Sequence, residues 1–265
     1  MTVRSVRAAM SCMGFGASGN VSLMWNVFGF RQSRPPTDPV GGARVTMSLA
    51  DTFADLSDRH VNLNMIAVGY DGLSAADRDR YVNSVDWAAF RMRQIYSGAG
   101  VGVGRVQHYE IAVADARGYD DVGDTDEADD LHDEWDVPND GIDAFFVRTI
   151  SASSGGGGLL GRSPIDGDCE KDSKDDGLLA GGANNTNADS VARTFTHEVG
   201  HYLDLEHNHG DSCPTAASSR MNLMAQTRCV PLVSGSNTRD VRNAVNLTSS
   251  QGSDMRDHCM VKGGC

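Results

Sequence analysis

His197, Glu198 and His201 stand in the segment THEVGHYLDLEHNHG at a spacing that metal chemistry uses. Residues four apart on a helix share one face, so two imidazoles at that spacing can hold a single ion. A carboxylate next to the first can then act as general base toward a metal-activated water. His207 is the candidate third ligand. In an unbroken helix it would lie about 9 Å beyond His201 along the axis, out of reach of zinc bonds of about 2.1 Å, so the chain must turn back near Leu203 to Leu205. Asp204 suits that turn, because Asp is one of the few non-glycine types that tolerate a left-handed backbone. His209 is a rival third ligand. With 8 His and 6 Glu in 265 residues, chance produces HExxHxxxxxH on the order of 10⁻⁴ times. Three His ligands leave a fourth position open, as in catalytic rather than structural zinc sites.

These residues need a scaffold, and the pattern before them describes one. Val61 to Tyr70 reads as a strand. Ser74 with Asp77 forms an acidic capping signal, after which Tyr81, Val85, Ala88, Met92 and Ile95 repeat at three and four residues up to Gly98, predicting one long amphipathic helix. Val101 to Val113 is a second strand, DEADDLHDEW a short helix, and Ile142 to Ile150 a strand buried on both faces. Two short Gly-bounded strands follow, and then the His-bearing helix. Strands alternating with helices in this order make an α/β (α+β) layer around one core.

Charge and composition exclude other classes. The net charge is −13 from 23 basic and 36 acidic residues, which argues against nucleic acid as a partner. No apolar run reaches the roughly 18 residues of a transmembrane segment. The acidity is local: residues 115–143 carry 13 acids and one base, Arg117. A solvated loop is one reading of the acidic runs at 120–130 and 166–176, and Ca²⁺ held by their carboxylates is the other, although neither run has EF-hand spacing. Six cysteines, five of them in the last hundred residues, favour disulfides and hence a secreted or extracellular protein. The segment MTVRSVRAAMSC reads poorly as a signal peptide. Residues 1–45 end in the Pro- and Gly-rich RQSRPPTDPVGGAR and are expected to be an N-terminal arm or pro-segment.

HEVGHYLDLEH, the segment MNLMAQT (Met221 to Thr227) and the order of elements before the helix together resemble the metzincin clan of zinc metallopeptidases, and LTSSQGSDMR (Leu247 to Arg256) is similar to the closing helix of its pappalysin branch. Asp204 departs from that clan, which has glycine at the turn. The resemblance implies a twisted mixed five-stranded sheet with two long helices and a small irregular C-terminal subdomain. The catalytic domain would be 46–265, with an upper subdomain 46–207 and a lower one 208–265. It implies one Zn²⁺ on His197, His201 and His207, Glu198 as catalytic base, and a methionine turn at Met224, with Met221 as alternative. Leu159, Leu160 and Gly161 would belong to the edge strand that pairs with an extended peptide or protein substrate. Cys213 and Cys229 would bracket the methionine turn as a disulfide, with Cys169 as a competing partner for either.

The activity so implied is that of a zinc endopeptidase. Two alternatives share the site: a zinc-binding but catalytically degenerate protein of the same fold, and a zinc hydrolase of a non-peptide amide. Substrate preference and oligomeric state have no signature in the sequence.

Overall fold

The amphipathic repeat behind Ser74 forms helix α1, Ala75–Ser97, and Ser74 caps it by accepting the backbone N–H of Asp77 at 3.2 Å. Its buried face carries Tyr81, Val85, Ala88, Met92, Ile95 and Tyr96. In the computed structural model the described residues are 2–4, 59–151, 158–171, 173–181, 187–209, 213–226, 229 and 243–263. Of the predicted N-terminal arm, only Thr2–Arg4 falls among them.

The main sheet contains β1 (Thr2–Arg4), β2 (Arg59–Val68), β3 (Gly102–Ile111), β5 (Gly141–Val147), β8 (Gly161–Arg162) and β9 (Gly177–Gly181) in the order β1-β3-β2-β5-β9-β8, and β10 (Lys262–Gly263) pairs with β2. Strands β3, β2, β5 and β9 are parallel, and β8 closes the edge antiparallel to β9. This is the mixed α/β sheet expected of a metzincin-like fold, with β1 and β10 added outside the five expected strands. All seven residues of β5 are buried, because helices cover both faces of a parallel sheet.

On one face, Leu63, Met65, Ala144, Phe146 and Leu178 pack with α1 and with the second long helix, α4 (Ala188–Tyr202). On the other, Ile66, Val68, Phe145, Val147 and Leu179 pack with Leu131 of α3 (Thr125–Trp135). The strict alternation of Phe145 and Phe146 between the two clusters is the period of a strand.

The apolar run Ile142 to Ile150 is not a single strand. It breaks at Arg148, whose guanidinium binds Asp120 and Asp121, and resumes as β6 (Thr149–Ser151). This strand pairs with β4 (Asp121–Val122) and β7 (Gly158–Leu159) in a separate three-stranded sheet. Short helices α2 (Val113–Ala116), α5 (Ala217–Arg220) and α6 (Ser249–Asp257) and a single 3-10 turn at Tyr70–Gly72 complete the described elements. No helix of the described residues is long and apolar enough to cross a membrane.

Candidate metal centre and its surroundings

Helix α4 is fixed at four points along its length. Asn187 caps it, accepting the N–H groups of Asp189 and Ser190 at 3.0 and 3.1 Å. Asp189 accepts the Trp87 indole N–H at 2.9 Å, and the Tyr96 hydroxyl donates to the Thr196 carbonyl at 2.8 Å, so α1 and α4 are tied by polar bonds as well as by packing. At the C-terminal end Asp204 adopts φ +67°, while the N–H of Asp204 bonds to His201 O and that of Leu205 to Gly200 O, both at 3.0 Å. This left-handed stop reverses the chain.

The reversal brings His207 back to the helix. The Nε2 atoms of His197, His201 and His207 lie 3.0 to 3.2 Å from one another. His197 donates from Nδ1 to Leu223 O at 2.8 Å and His201 from Nδ1 to Leu205 O at 2.6 Å. A carbonyl only accepts, so these bonds place the proton on Nδ1 and leave the Nε2 lone pairs of both rings facing the common centre. Burial pushes the His201 pKa down to about 4 and lowers those of His197 and His207, so the rings are neutral at pH 7. Converging lone pairs on neutral imidazoles repel one another unless a cation lies between them. Ligands on a tetrahedral zinc are about 3.4 Å apart, so three nitrogens at this spacing fit one face of such an ion.

His209 does not join them, because its Nε2 accepts the Gln226 backbone N–H at 3.1 Å. A second group of potential ligands, Cys169, His258 and Cys259, has its donors engaged: the two sulfurs form a disulfide, and His258 bonds Gly167 O and the Met260 N–H at 3.1 Å each.

Glu198 is buried beside the triad, and burial, opposed by the charge of Arg193, raises its pKa to about 8. It lies against β8: a Cβ on Gly161 would be 2.6 Å from Glu198 Cγ and Oε1. The three residues expected on one edge strand divide there. Gly161 is in β8, the terminal strand of the main sheet, and Leu160 is exposed beside it. Leu159 belongs instead to β7, paired with Ile150. The chain changes sheets at Leu160, whose carbonyl accepts the Gly181 N–H at 2.8 Å.

Met224 is fully buried beneath the helix, and its sulfur would be 2.8 Å from a Cβ on Gly200. Only a glycine at 200 lets the thioether lie this close. The turn is held by Asn222, which accepts the Met224 N–H at 2.8 Å and donates to Gln251 at 2.8 Å. Gln251 also completes the capping box of α6 with Thr248. Arg193, 3 % exposed, donates to the carbonyls of Leu223 and Ala225 on either side of Met224. Arg193, Asn222, Gln251 and Gly200 all escaped sequence reasoning. Only Arg193 carried a signal there, as a cation on the buried face of the His-bearing helix, one turn before His197.

Cys213 pairs with Cys229, and Cys169 pairs with Cys259 rather than with either of them. The acidic runs are largely engaged in local structure. Asp124 caps α3, Glu127 accepts the Gly123 N–H at 2.6 Å, and Asp143 is buried against Lys171 at 2.8 Å. Among the described residues no three carboxylates converge as a calcium site would require.

No protein-family model and no curated protein matches the chain. Among solved structures it is similar to archaemetzincin from Methanopyrus kandleri, at 14 % identity over 74 % of this chain and 95 % of that one, with a TM-score of 0.47. It is also similar to a chain in a chaperone–substrate complex, at 15 % identity over 76 % of this chain, with a TM-score of 0.39. The match spans 34 % of that second protein's length. At this distance the chemistry has to be read from the side chains.

Proposed function

We propose that the protein is a secreted zinc-dependent endopeptidase of metzincin type. The observation that carries this reading is the convergence of three neutral imidazole nitrogens within 3.2 Å of one another, beside a buried carboxylate and the edge of a sheet. His197, His201 and His207 would hold Zn²⁺, for which neutral nitrogen donors are better suited than for Mg²⁺ or Ca²⁺. When bound there, zinc supplies a Lewis acid that acidifies water and polarises the scissile carbonyl.

The chain's own groups supply the rest. Glu198 takes the proton from the attacking water and delivers it to the leaving amine. The β8 backbone, at the sheet edge next to Glu198, aligns an extended peptide by strand addition. Met224 packs under the site without ligating it. The two disulfides support an oxidising compartment.

The test is a digest of a proteome-derived peptide library, with and without chelator, alongside metal analysis. Cleavage that needs one zinc per chain is expected. A protein that holds stoichiometric zinc but cuts no peptide would be a binding protein or an amidase of another substrate class. A protein without a stoichiometric transition metal would overturn the reading entirely.

A further inference from the structure

We infer that Arg193 is a positioning residue of the zinc site, acting through the methionine turn. The inference rests on the reading of His197 as a zinc ligand. Arg193 lies one turn before His197 on α4, so both side chains leave the same helical face. Both also end on the same acceptor. The Leu223 carbonyl takes the Nδ1–H of His197 at 2.8 Å and an Nη2–H of Arg193 at 2.9 Å. Arg193 Nη2 bonds the Ala225 carbonyl as well, so one nitrogen clasps the turn on both sides of Met224.

The consequence follows from what the Leu223 carbonyl does. It fixes which nitrogen of His197 carries the proton and how the ring is rotated, and such partners of a ligand tune metal affinity by about 10- to 100-fold when removed. The N–H groups of the turn are held by the Asn246 carbonyl at Leu223 and by Asn222 at Met224. The guanidinium holds the Leu223 carbonyl from the helix that also bears the ligand, so turn, ligand and helix form a closed ring of bonds. A buried cation is costly unless it is hydrogen-bonded. Arg193 is 3 % exposed and donates to two carbonyls, and burial lowers its pKa to about 10, which still leaves it charged at neutral pH. An apolar side chain would fill the same space at lower cost, so a burial of this kind serves something besides packing.

The experiment measures zinc affinity directly, by chelator competition on the purified full chain, together with the visible spectrum of the Co²⁺-substituted protein. Arg193→Ala is expected to bind zinc 10- to 100-fold more weakly and to shift the cobalt spectrum, and millimolar guanidinium should restore affinity in the variant while leaving the native protein unchanged. Arg193→Lys keeps the charge but not the reach and should lie between the two. If Arg193→Ala does not fold, the lysine variant carries the test. Unchanged zinc affinity and cobalt spectrum in a folded variant would overturn the inference, even if its melting temperature fell. The readout is independent of hydrolysis: a native protein that binds zinc tightly but cleaves nothing would refute the proposed activity and leave the role of Arg193 standing.

Discussion

Gly161 and Glu198 approach more closely than any side chain at position 161 would allow, since a Cβ there would fall 2.6 Å from two Glu198 atoms. The outermost strand therefore rests directly on the candidate base. Gly161→Ala should move the Glu198 carboxylate, the more flexible of the two partners, at little cost in stability. Displacement of a reacting group by about 1 Å costs on the order of 10²-fold in rate. The expected outcome is a fall of that order in kcat, with zinc content unchanged and the melting temperature nearly so. An alanine variant with native kcat would show that Glu198 can shift without consequence and would remove it from the chemistry.

Asp204 tests the turn that returns His207 to the helix. A non-glycine residue at φ +67° costs about 1–2 kcal/mol, and glycine removes that cost. Asp204→Gly should therefore keep zinc and match or exceed the native stability. Asp204→Ile adds β-branching where the backbone tolerates it least, and should lower both stability and zinc affinity as His207 is displaced. Chelator competition and thermal melts on the two variants check this, and an isoleucine variant with native zinc affinity would refute it.

The residues that were legible in the sequence are those whose spacing alone constrains them. His197 and His201 share a face because helices have a fixed period, and the need for a turn at Asp204 follows from the reach of His207. The cap at Ser74 and the buried stripe of α1 were legible for the same local reason. Arg148 was not read as a break, because the run from Ile142 to Ile150 is apolar on both sides of it and the partners that bend the chain, Asp120 and Asp121, are distant in sequence. Gly161 was read only as part of an edge strand, and Gly200 not at all. Their importance lies in what approaches them, Glu198 and Met224, and no local pattern encodes an approach. The partner of Cys169 was hidden too, since Cys259 lies 90 residues away.

His207 and His209 differ by two residues and separate cleanly in the structure. His207→Ala should weaken zinc retention, because it removes one of three converging nitrogens. His209→Ala removes an acceptor from the Gln226 backbone N–H and should leave zinc content intact, with a stability loss of about 1 kcal/mol. Metal analysis after dialysis against a weak chelator distinguishes them. Equal zinc loss in both variants would mean that the third ligand is misassigned.

Asp176 gives a pH dependence independent of the metal. It is fully buried just before β9, and burial raises its pKa from 3.8 to about 6, with Asp143 and Asp136 adding to the effect and Lys171 and the Ser173 N–H opposing it. Between about pH 4 and 6 the folded chain holds this proton more tightly than the unfolded chain. The contribution of Asp176 to stability therefore falls as pH rises through that window and stays low above it. Asp176→Asn keeps an oxygen for the Ser173 N–H at 3.3 Å and has nothing to ionise. The variant should melt close to the native protein at pH 4 and roughly 3–6 °C above it at pH 7.5. Zinc is shed by both proteins at the acid end, so the difference between them isolates this carboxyl. A difference in melting temperature that stays constant from pH 4 to 7.5 would show that Asp176 ionises as freely in the folded chain as in the unfolded one.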